Sequence, residues 1–157
     1  MTTLVATRQG VYSDSRCSFG PSLFHSKKLF QIEGSVYAIS GDIPDCLKFL
    51  EWVVEKDTND TPEFSKEDSF DVLEVSPEGI FLWDGALCRM EVLDPFIAAG
   101  SGHMAAMAAL HLGSSPEVAI ETACKVDPAS GGPLQVLHLP HPNPQCQPPT
   151  RPHKRSK

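Results

Sequence analysis

The residue with the clearest chemical potential stands directly after the first methionine. Thr2 carries a hydroxyl, and removal of Met1 would leave a free α-amine on the same residue. A threonine hydroxyl is a poor nucleophile near neutral pH and needs a base that accepts its proton. An α-amine, with an unperturbed pKa of about 7.7–8.0, can be that base, directly or through a water molecule. Threonine is also common after an initiator methionine, so an ordinary chain start remains the alternative interpretation.

Histidines and cysteines provide no competing site. The five cysteines are odd in number and form no Cys-x-x-Cys pair, which disfavours a disulfide framework or a zinc knuckle. They are Cys17, Cys46, Cys88, Cys124 and Cys146. The six histidines are scattered, without the spacing of metal ligands or of a Cys–His pair. They are His25, His103, His111, His138, His141 and His153. We therefore expect reduced, mostly buried thiols in a reducing compartment.

Composition and charge limit the class of protein. The chain has 157 residues, 41% of them hydrophobic and 21% charged, which is typical of one globular domain. It shows no membrane-length apolar run and no signal peptide, so we expect a cytoplasmic protein. Four of the 13 basic residues lie after Leu139, which leaves nine against 20 acidic residues in the body. An acidic body disfavours nucleic acid as the main partner.

The elements that must position Thr2 follow from periodicity and turn residues. The predicted strands are Thr2–Arg8, Val11–Asp14, Lys28–Glu33, Ser35–Ser40, Phe70–Val75, Gly79–Trp83, Leu87–Leu93, Phe96–Ala99 and Leu134–Leu139. The predicted helices run from Asp42 to about Lys56, from His103 to Leu112 and from Ser115 to about Val126. Arg16–Ser26 and Asp57–Asp68 are expected to be loops.

This order of strands and helices predicts layered α+β packing, with two sheets face to face and helices outside. Residues 1–139 form the predicted domain. Residues 140–157 hold six of the 14 prolines and four basic residues. We expect that segment to be a disordered, basic tail.

Five segments, in order, resemble proteasome β-subunits and the bacterial peptidase HslV. They are TTLVATRQGVYSDSR, KKLFQIEGSVYAISG, AAGSGHMAAMAAL, SPEVAIETACKV and DPASGG. Each is weak alone, but their joint order and spacing cover about Thr2–Leu139. The resemblance implies the N-terminal-nucleophile hydrolase fold, a four-layer αββα sandwich, and a threonine endopeptidase that works inside a homo-oligomeric ring.

The resemblance also implies roles for residues around Thr2. Lys28 would be the cation that lowers the pKa of the α-amine, and Asp14 would pair with it. Gly41, at a strand end, would present its backbone N–H to a developing oxyanion. The cluster that orients the amine would consist of Ser101, Asp127 and Ser130.

Each of these positions also has a simpler interpretation. Asp14 can be a turn residue, and a lysine in a Lys-Lys pair is usually solvated. Ser101 can cap the following helix, and Ser130 can belong to a plain loop. The choice of Lys28 over Lys27 rests on register, because Ile32 and Gly41 then match the family pattern.

The family pattern also suggests a bound ion and partners. A monovalent cation, Na⁺ or K⁺, would lie on backbone carbonyls of Cys124, Asp127 and Ser130; no other cofactor is expected. Unfolded proteins or peptides would be the substrates, and an ATP-dependent unfoldase a possible partner. However, only Asp57–Asp68 follows the first helix, where the family has a second one. One outer helix layer is therefore expected to be reduced, which puts the docking of such an ATPase in doubt.

Two other functions stay open at the level of sequence. A non-catalytic ring subunit is one, although such subunits tend to lose the Thr, the Lys or the Asp, and this chain has candidates for all three. An amidase of the same fold that acts on a small molecule is the other.

Overall fold

Two larger antiparallel sheets, one two-stranded sheet and three helices form the regular structure of the described residues. The computed structural model describes residues 2–55, 61–66 and 68–140, so Met1 and the predicted tail beyond Pro140 lie outside the described residues. The strands are β1 Thr3–Thr7, β2 Gly10–Ser13, β3 Arg16–Phe19, β4 Ser22–His25, β5 Leu29–Ile32, β6 Ser35–Gly41, β7 Phe70–Val75, β8 Ile80–Trp83, β9 Arg89–Val92, β10 Phe96–Gly100 and β11 Gln135–His138. The helices are α1 Ile43–Glu55, α2 His103–His111 and α3 Pro116–Val126. This content confirms the predicted α+β class.

One of the larger sheets joins strands from the two ends of the chain, and the other consists of consecutive strands from its middle. One sheet has the order β10-β1-β2-β11, and the other has the order β5-β6-β7-β8-β9. β1 is a central strand, paired with β10 through Thr3 and Gly100 and with β2 through Leu4 and Ser13. The strand that follows Thr2 is thus held on both sides, which fixes the position of the chain start.

Alternation of side chains along the strands creates three hydrophobic clusters. Leu4 of β1 and Leu73 of β7 belong to a cluster that residues of both sheets share. Val5 faces the other way and packs with Ala106 of α2 and Ile120 of α3. The third cluster joins α1, including Phe49, to the second sheet. The first cluster therefore joins the two larger sheets, the second joins β1 to α2 and α3, and the third joins α1 to the second sheet.

The helix starts follow local sequence chemistry. Asp42 precedes α1, and its Oδ1 accepts a hydrogen bond of 3.2 Å from the N–H of Asp45. Ser115 caps α3 by accepting from the N–H of Val118 at 3.3 Å, and Pro116 occupies the first turn. α2 differs because its N-cap is Gly102, which offers no side-chain cap.

The predicted loop Arg16–Ser26 is wrong in part. β3 and β4 form a hairpin within it, with Cys17 opposite Phe24, and Gly20 turns the chain at a φ of 55°. Phe19 and Leu23 are exposed there, at 83% and 68%. These short strands carry apolar side chains in solvent, so the alternation of buried and exposed residues that identifies a strand is missing.

The segment after α1 contains no helix in its described part, residues 61–66. Asp45 ties it to α1, because its Oδ2 accepts from the N–H and the hydroxyl of Ser65 at 2.8 and 2.6 Å. The hydroxyl of Ser65 is the main cause that lowers the pKa of Asp45 to about 2. Residues 57–60 and 67 of the predicted Asp57–Asp68 loop lie outside the described residues.

Candidate active site

Thr2 directly precedes β1 and lies in the wall of a cavity of about 520 Å³. The residue is 4% exposed, although it stands at the beginning of the chain. Its hydroxyl and its nitrogen have different surroundings, and each is held by its own set of polar groups. The nitrogen is a peptide nitrogen while Met1 is attached, and it marks the place of an α-amine after Met1 has been removed.

The hydroxyl of Thr2 contacts Lys28. Lys28 Nζ lies 2.6 Å from Thr2 Oγ1, 2.9 Å from Asp14 Oδ1 and 2.6 Å from the carbonyl oxygen of Arg16. These three acceptors match the three protons of an ammonium group. Lys28 is 3% exposed, so the ion pair with Asp14 is shielded from water.

The neighbouring lysine points elsewhere. Lys27 Nζ lies 5.0 Å from the centre of the Phe30 ring and the residue is exposed. Adjacent side chains on an extended segment project in opposite directions, so only one of the two lysines can reach Thr2. The structure places Lys28 there, as the register argument predicts.

Asp14 follows β2 and is fully buried. Besides Lys28, its carboxylate accepts backbone N–H groups of Thr3 at 3.0 Å, Arg16 at 3.1 Å and Gly131 at 2.8 Å. A carboxylate with four donors is fixed in place, and these hydrogen bonds offset the cost of its burial. Asp14 therefore does more than form a turn, since it holds Lys28 against Thr2.

The nitrogen of Thr2 contacts the predicted polar cluster. Thr2 N donates to Ser101 Oγ at 3.2 Å. Ser101 Oγ and Ser130 Oγ each donate to Asp127 Oδ2, at 2.6 and 2.7 Å. Burial would raise the pKa of Asp127, but these two hydroxyls and the N–H of Ala129 outweigh it and lower that pKa. An ionised Asp127 thus orients Ser101 toward the amine position.

Two glycines beside Ser101 permit this approach. Gly100 adopts a φ of 83°, and a Cβ there would lie 2.1 Å from the carbonyl oxygen of Thr2. A Cβ on Gly102 would lie 2.0 Å from Thr3 Oγ1. The Gly-Ser-Gly sequence therefore lets β10 and the start of α2 close onto the chain start, and Ser101 does not cap α2.

Gly41 ends β6 and lines the same cavity as Thr2. Its φ is 116°, and an added Cβ would lie 2.4 Å from the carbonyl oxygen of Ser69 and 2.6 Å from Phe70 Cα. Only glycine fits a position with that φ and that close a backbone neighbour. The predicted strand end at Gly41 thus lies in the wall that contains Thr2.

Both apolar and polar residues line the cavity beside Thr2. Its apolar residues come from β3, β5, β6 and the start of α1, and they include the buried Cys46. They are Cys17, Phe19, Phe30, Ile39, Ile43, Pro44, Cys46 and Leu47. Lys27 and Asp42 lie among the polar lining residues.

Sequence reasoning missed two contributors. The carbonyl oxygen of Arg16 accepts from Lys28, and the hydroxyl of Thr3 lies 2.6 Å from Ser130 Oγ. Backbone acceptors leave no trace in residue type. Thr3 could have been found by alternation, because it must face the helices if Thr2 faces the space beside the second sheet.

The candidate cation ligands lie together at the end of α3. Asp127 is the C-cap residue of α3, and its carbonyl oxygen accepts from the N–H of Ser130 at 3.1 Å. Pro128 has no N–H, so the Cys124 carbonyl lacks the usual helical donor four residues on. A helix C-terminus carries a partial negative charge, which is why these carbonyls are candidate ligands of a cation.

Other features of the described residues add no second centre. No group of three or more His, Cys, Asp or Glu side chains is arranged to hold a metal ion in residues 2–55, 61–66 and 68–140. Cys17, Cys46, Cys88 and Cys124 are free thiols. Across the same ranges, none of the helices is long and apolar enough to cross a membrane.

Solved structures share this fold at low sequence identity. HslV from Trypanosoma brucei superimposes with a TM-score of 0.69 at 21% identity, covering 89% of this chain and 100% of that chain. Thiobacillus denitrificans BPH gives 0.65 at 19% identity, covering 88% and 99%. The Gly-1 mutant of Anbu from Hyphomicrobium sp. strain MC1 gives 0.65 at 15%, covering 88% and 81%.

No protein-family model and no curated protein matches the sequence. At identities of 15–21% the likeness concerns the fold. The resemblance to HslV that the sequence motifs predict is therefore confirmed at the level of the fold, which this chain shares with HslV, BPH and Anbu.

Proposed function

We propose that this chain is a threonine endopeptidase subunit with Thr2 as its nucleophile after removal of Met1. The proposal rests on one observation: two separate polar groups hold the two reactive atoms of Thr2. The hydroxyl of Thr2 contacts Lys28, and its nitrogen contacts Ser101. A hydroxyl and a potential base on one residue, the first held by the buried Lys28 and the second by Ser101, form the arrangement that nucleophilic catalysis needs.

In the first step the α-amine accepts the proton of the hydroxyl, directly or through a water molecule. Oγ1 of Thr2 then attacks the carbonyl carbon of the substrate, and a new C–O bond forms. The C–N bond of the substrate breaks next, and the leaving amine takes the proton from the α-ammonium group. Water, activated by the same amine, hydrolyses the resulting ester and frees Thr2.

Lys28 acts as a cation in this scheme. Its three protons face Thr2, Asp14 and Arg16, so no lone pair remains to accept a proton from the hydroxyl. Its charge favours the ionised hydroxyl and the free-base amine. The base is therefore the α-amine.

Gly41 supplies the backbone N–H for the oxyanion. The proposal is supported by its position in the cavity wall with Thr2 and by the close approach of Ser69 and Phe70, which holds the backbone rigidly. The largely apolar lining of the cavity favours substrates with an apolar side chain beside the cleaved bond.

The assembly belongs to the same proposal. The three hydrophobic clusters support a four-layer αββα sandwich in which α1 forms one outer layer alone. Several large apolar side chains stand in solvent, among them Phe19, Leu112 and Met104, and closed rings would cover such surface. We propose a cytoplasmic homo-oligomeric ring that degrades unfolded proteins or peptides, with an ATP-dependent unfoldase as a possible partner.

A monovalent cation is part of the proposal. The carbonyl oxygens of Cys124, Asp127 and Ser130 would hold Na⁺ or K⁺ beside the loop that carries Asp127 and Ser130. The ion would stiffen that loop and so help to orient the amine.

The experiment compares the wild-type protein with Thr2→Ala and Thr2→Ser. Thr2→Ala should assemble with an unchanged native mass but lose peptide cleavage, because the bond-forming hydroxyl is gone. Thr2→Ser should keep part of the activity. Epoxomicin, bound in one BPH structure, should add its mass to the wild type and not to Thr2→Ala. Full activity of Thr2→Ala, or active protein that retains Met1, would contradict the mechanism.

The same set of measurements separates the other functions. A non-catalytic ring subunit would assemble to a multiple of the 17.1 kDa chain without any cleavage or adduct. An amidase of the same fold would form the adduct but would cleave a small amide and no peptide.

A further inference from the structure

Thr3 connects the nucleophile to the cluster that orients the amine. Thr2 and Thr3 project to opposite faces of the first sheet, because side chains alternate along a strand. Thr3 shares its face with Val5, whose cluster packs against α2 and α3. The side chain is fully buried there and its Oγ1 lies 2.6 Å from Ser130 Oγ.

The direction of each hydrogen bond in this region is determined by Asp127. Its Oδ2 accepts from Ser101 Oγ at 2.6 Å and from Ser130 Oγ at 2.7 Å, so each serine commits its one hydroxyl proton to the carboxylate. Ser130 Oγ therefore accepts from Thr3, and Ser101 Oγ accepts from Thr2 N. The chain of bonds runs from Thr2 N through Ser101, Asp127 and Ser130 to Thr3, which is covalently joined to Thr2.

We propose that Thr3 is a positioning residue of the peptidase reaction, and this inference rests on the proposed function. Its hydroxyl closes a ring of hydrogen bonds that fixes the α-amine of Thr2 relative to Asp127. Its backbone N–H also donates to Asp14 Oδ1, the same oxygen that Lys28 contacts. Thr3 thereby links the group that holds the hydroxyl to the group that holds the amine.

Gly102 has no Cβ, and this leaves space for the hydroxyl of Thr3. A Cβ on Gly102 would lie 2.0 Å from Thr3 Oγ1 and 3.2 Å from Ser130 Oγ. The glycine at the start of α2 is therefore required by the side chain of Thr3. A purely apolar side chain of the same shape would fill the space but would leave Ser130 Oγ without its donor.

Loss of the Thr3 hydroxyl should change the chemistry as well as the packing. A donor to Ser130 Oγ polarises the Ser130 hydroxyl and strengthens its bond to Asp127. Without it the charge of Asp127 is less well compensated, and the nearby α-ammonium form is favoured. The amine then becomes a free base at a higher pH.

The experiment uses the full chain and a fluorogenic peptide with an apolar residue before the cleaved bond. Thr3→Val keeps the volume and removes the hydroxyl, whereas Thr3→Ser keeps the hydroxyl. Thr7→Val is the matched control, because Thr7 lies at the far end of β1. Active sites are counted by mass after reaction with a threonine-directed electrophile. If Thr3→Val fails to assemble, Thr3→Ala replaces it, since the smaller side chain adds no contact.

We expect Thr3→Val to lower kcat per active site about tenfold with a smaller change in KM. The acidic limb of its kcat/KM profile should move to higher pH, and Thr3→Ser and Thr7→Val should behave as wild type. Wild-type kcat and an unchanged pH profile in Thr3→Val would overturn the inference, even with reduced stability. Wild-type protein that neither cleaves the peptide nor reacts with the electrophile would instead overturn the proposed function, and the inference with it.

Discussion

At the scale of residues, three acceptors around Lys28 decide how it acts. The contacts to Thr2, Asp14 and Arg16 use all three ammonium protons and bury the charge almost completely. A buried ammonium is stable only with such partners. The same contacts make the position sensitive to substitution, because each of the three partners would lose the hydrogen bond that Lys28 donates.

Lys28→Ala should therefore abolish peptide cleavage. We expect a loss of at least about 100-fold in kcat, since a charged donor next to the reacting oxygen is removed. Lys27→Ala is the matched control and should keep near wild-type activity, because Lys27 lies over Phe30. Steady-state kinetics of the two variants decides the matter, and an essential Lys27 would show that the register is shifted by one residue.

Asp127 predicts a pH dependence of stability. Its pKa in the folded protein lies below the ordinary value of 3.8, so the ionised carboxylate stabilises the fold above that pH. This contribution is lost as the pH falls through the folded-state pKa. Thermal unfolding between pH 5 and pH 2.5 should show a smaller decline for Asp127→Asn than for the wild type. Parallel declines in the two proteins would contradict the assignment.

At the scale of elements, the ends of strands carry the site. Asp14 follows β2, Gly41 ends β6, and Ser101 lies between β10 and α2. Strand ends offer backbone groups that the sheets do not use, as the N–H groups that surround Asp14 illustrate. Regular elements thus fix the positions, and the irregular residues beside them supply the polar contacts.

Gly41→Ala tests one of these ends. An alanine would require a φ of 116° and a Cβ 2.4 Å from the carbonyl oxygen of Ser69. We expect the free energy of unfolding to fall by about 2–4 kcal/mol and the folded fraction to be inactive. Gly34→Ala is the matched control, since no atom lies within 4 Å of an added Cβ there. Its unfolding should change by no more than about 0.5 kcal/mol. Equal, small effects in the two variants would contradict the strain at Gly41.

In the described residues, no further helix joins α1 on the outer face of the second sheet. A cluster around Glu74 stabilises this face instead. Glu74 is 4% exposed and accepts from Arg89 Nε, Arg89 Nη2 and Trp83 Nε1 at 3.0, 2.9 and 2.7 Å. The guanidinium of Arg89 lies 3.4 Å from the centre of the Phe81 ring. This cluster covers apolar surface next to α1 with a paired charge, which is consistent with a reduced helix layer.

At the scale of the whole molecule, the described body contains the three hydrophobic clusters and both parts of the candidate site. β11 ends at His138, and Leu139 N donates to the carbonyl oxygen of Gln9 at 2.8 Å. That bond ties the last strand to the turn between β1 and β2. The hydrophobic clusters of the described residues thus consist of side chains that precede Pro140.

Removal of residues 142–157 should leave folding and assembly intact. The segment is rich in proline and polar residues, so it is a poor source of buried apolar contacts. We expect the melting temperature of the truncated protein to lie within about 2 °C of the full chain, with an unchanged native mass. A large drop in melting temperature would mean that the tail packs on the assembled protein.

The sequence by itself determined the elements and the residue types of the site. Period-two alternation and cap residues located most strands and all three helices, because those signals depend on near neighbours along the chain. The order of the five family-like segments was enough to identify the fold. The β3–β4 hairpin escaped detection because its apolar residues are exposed, so local pattern and burial disagree there.

Only the tertiary structure decided which of these residues meet. The bonds from Thr2 to Lys28 and to Ser101 join positions 26 and 99 residues apart, and the bond from Thr3 to Ser130 spans 127. Such contacts depend on sheet order, strand register and the close approach that Gly100 and Gly102 permit. Proton directions around Asp127 likewise follow from simultaneous contacts, which no local sequence pattern encodes.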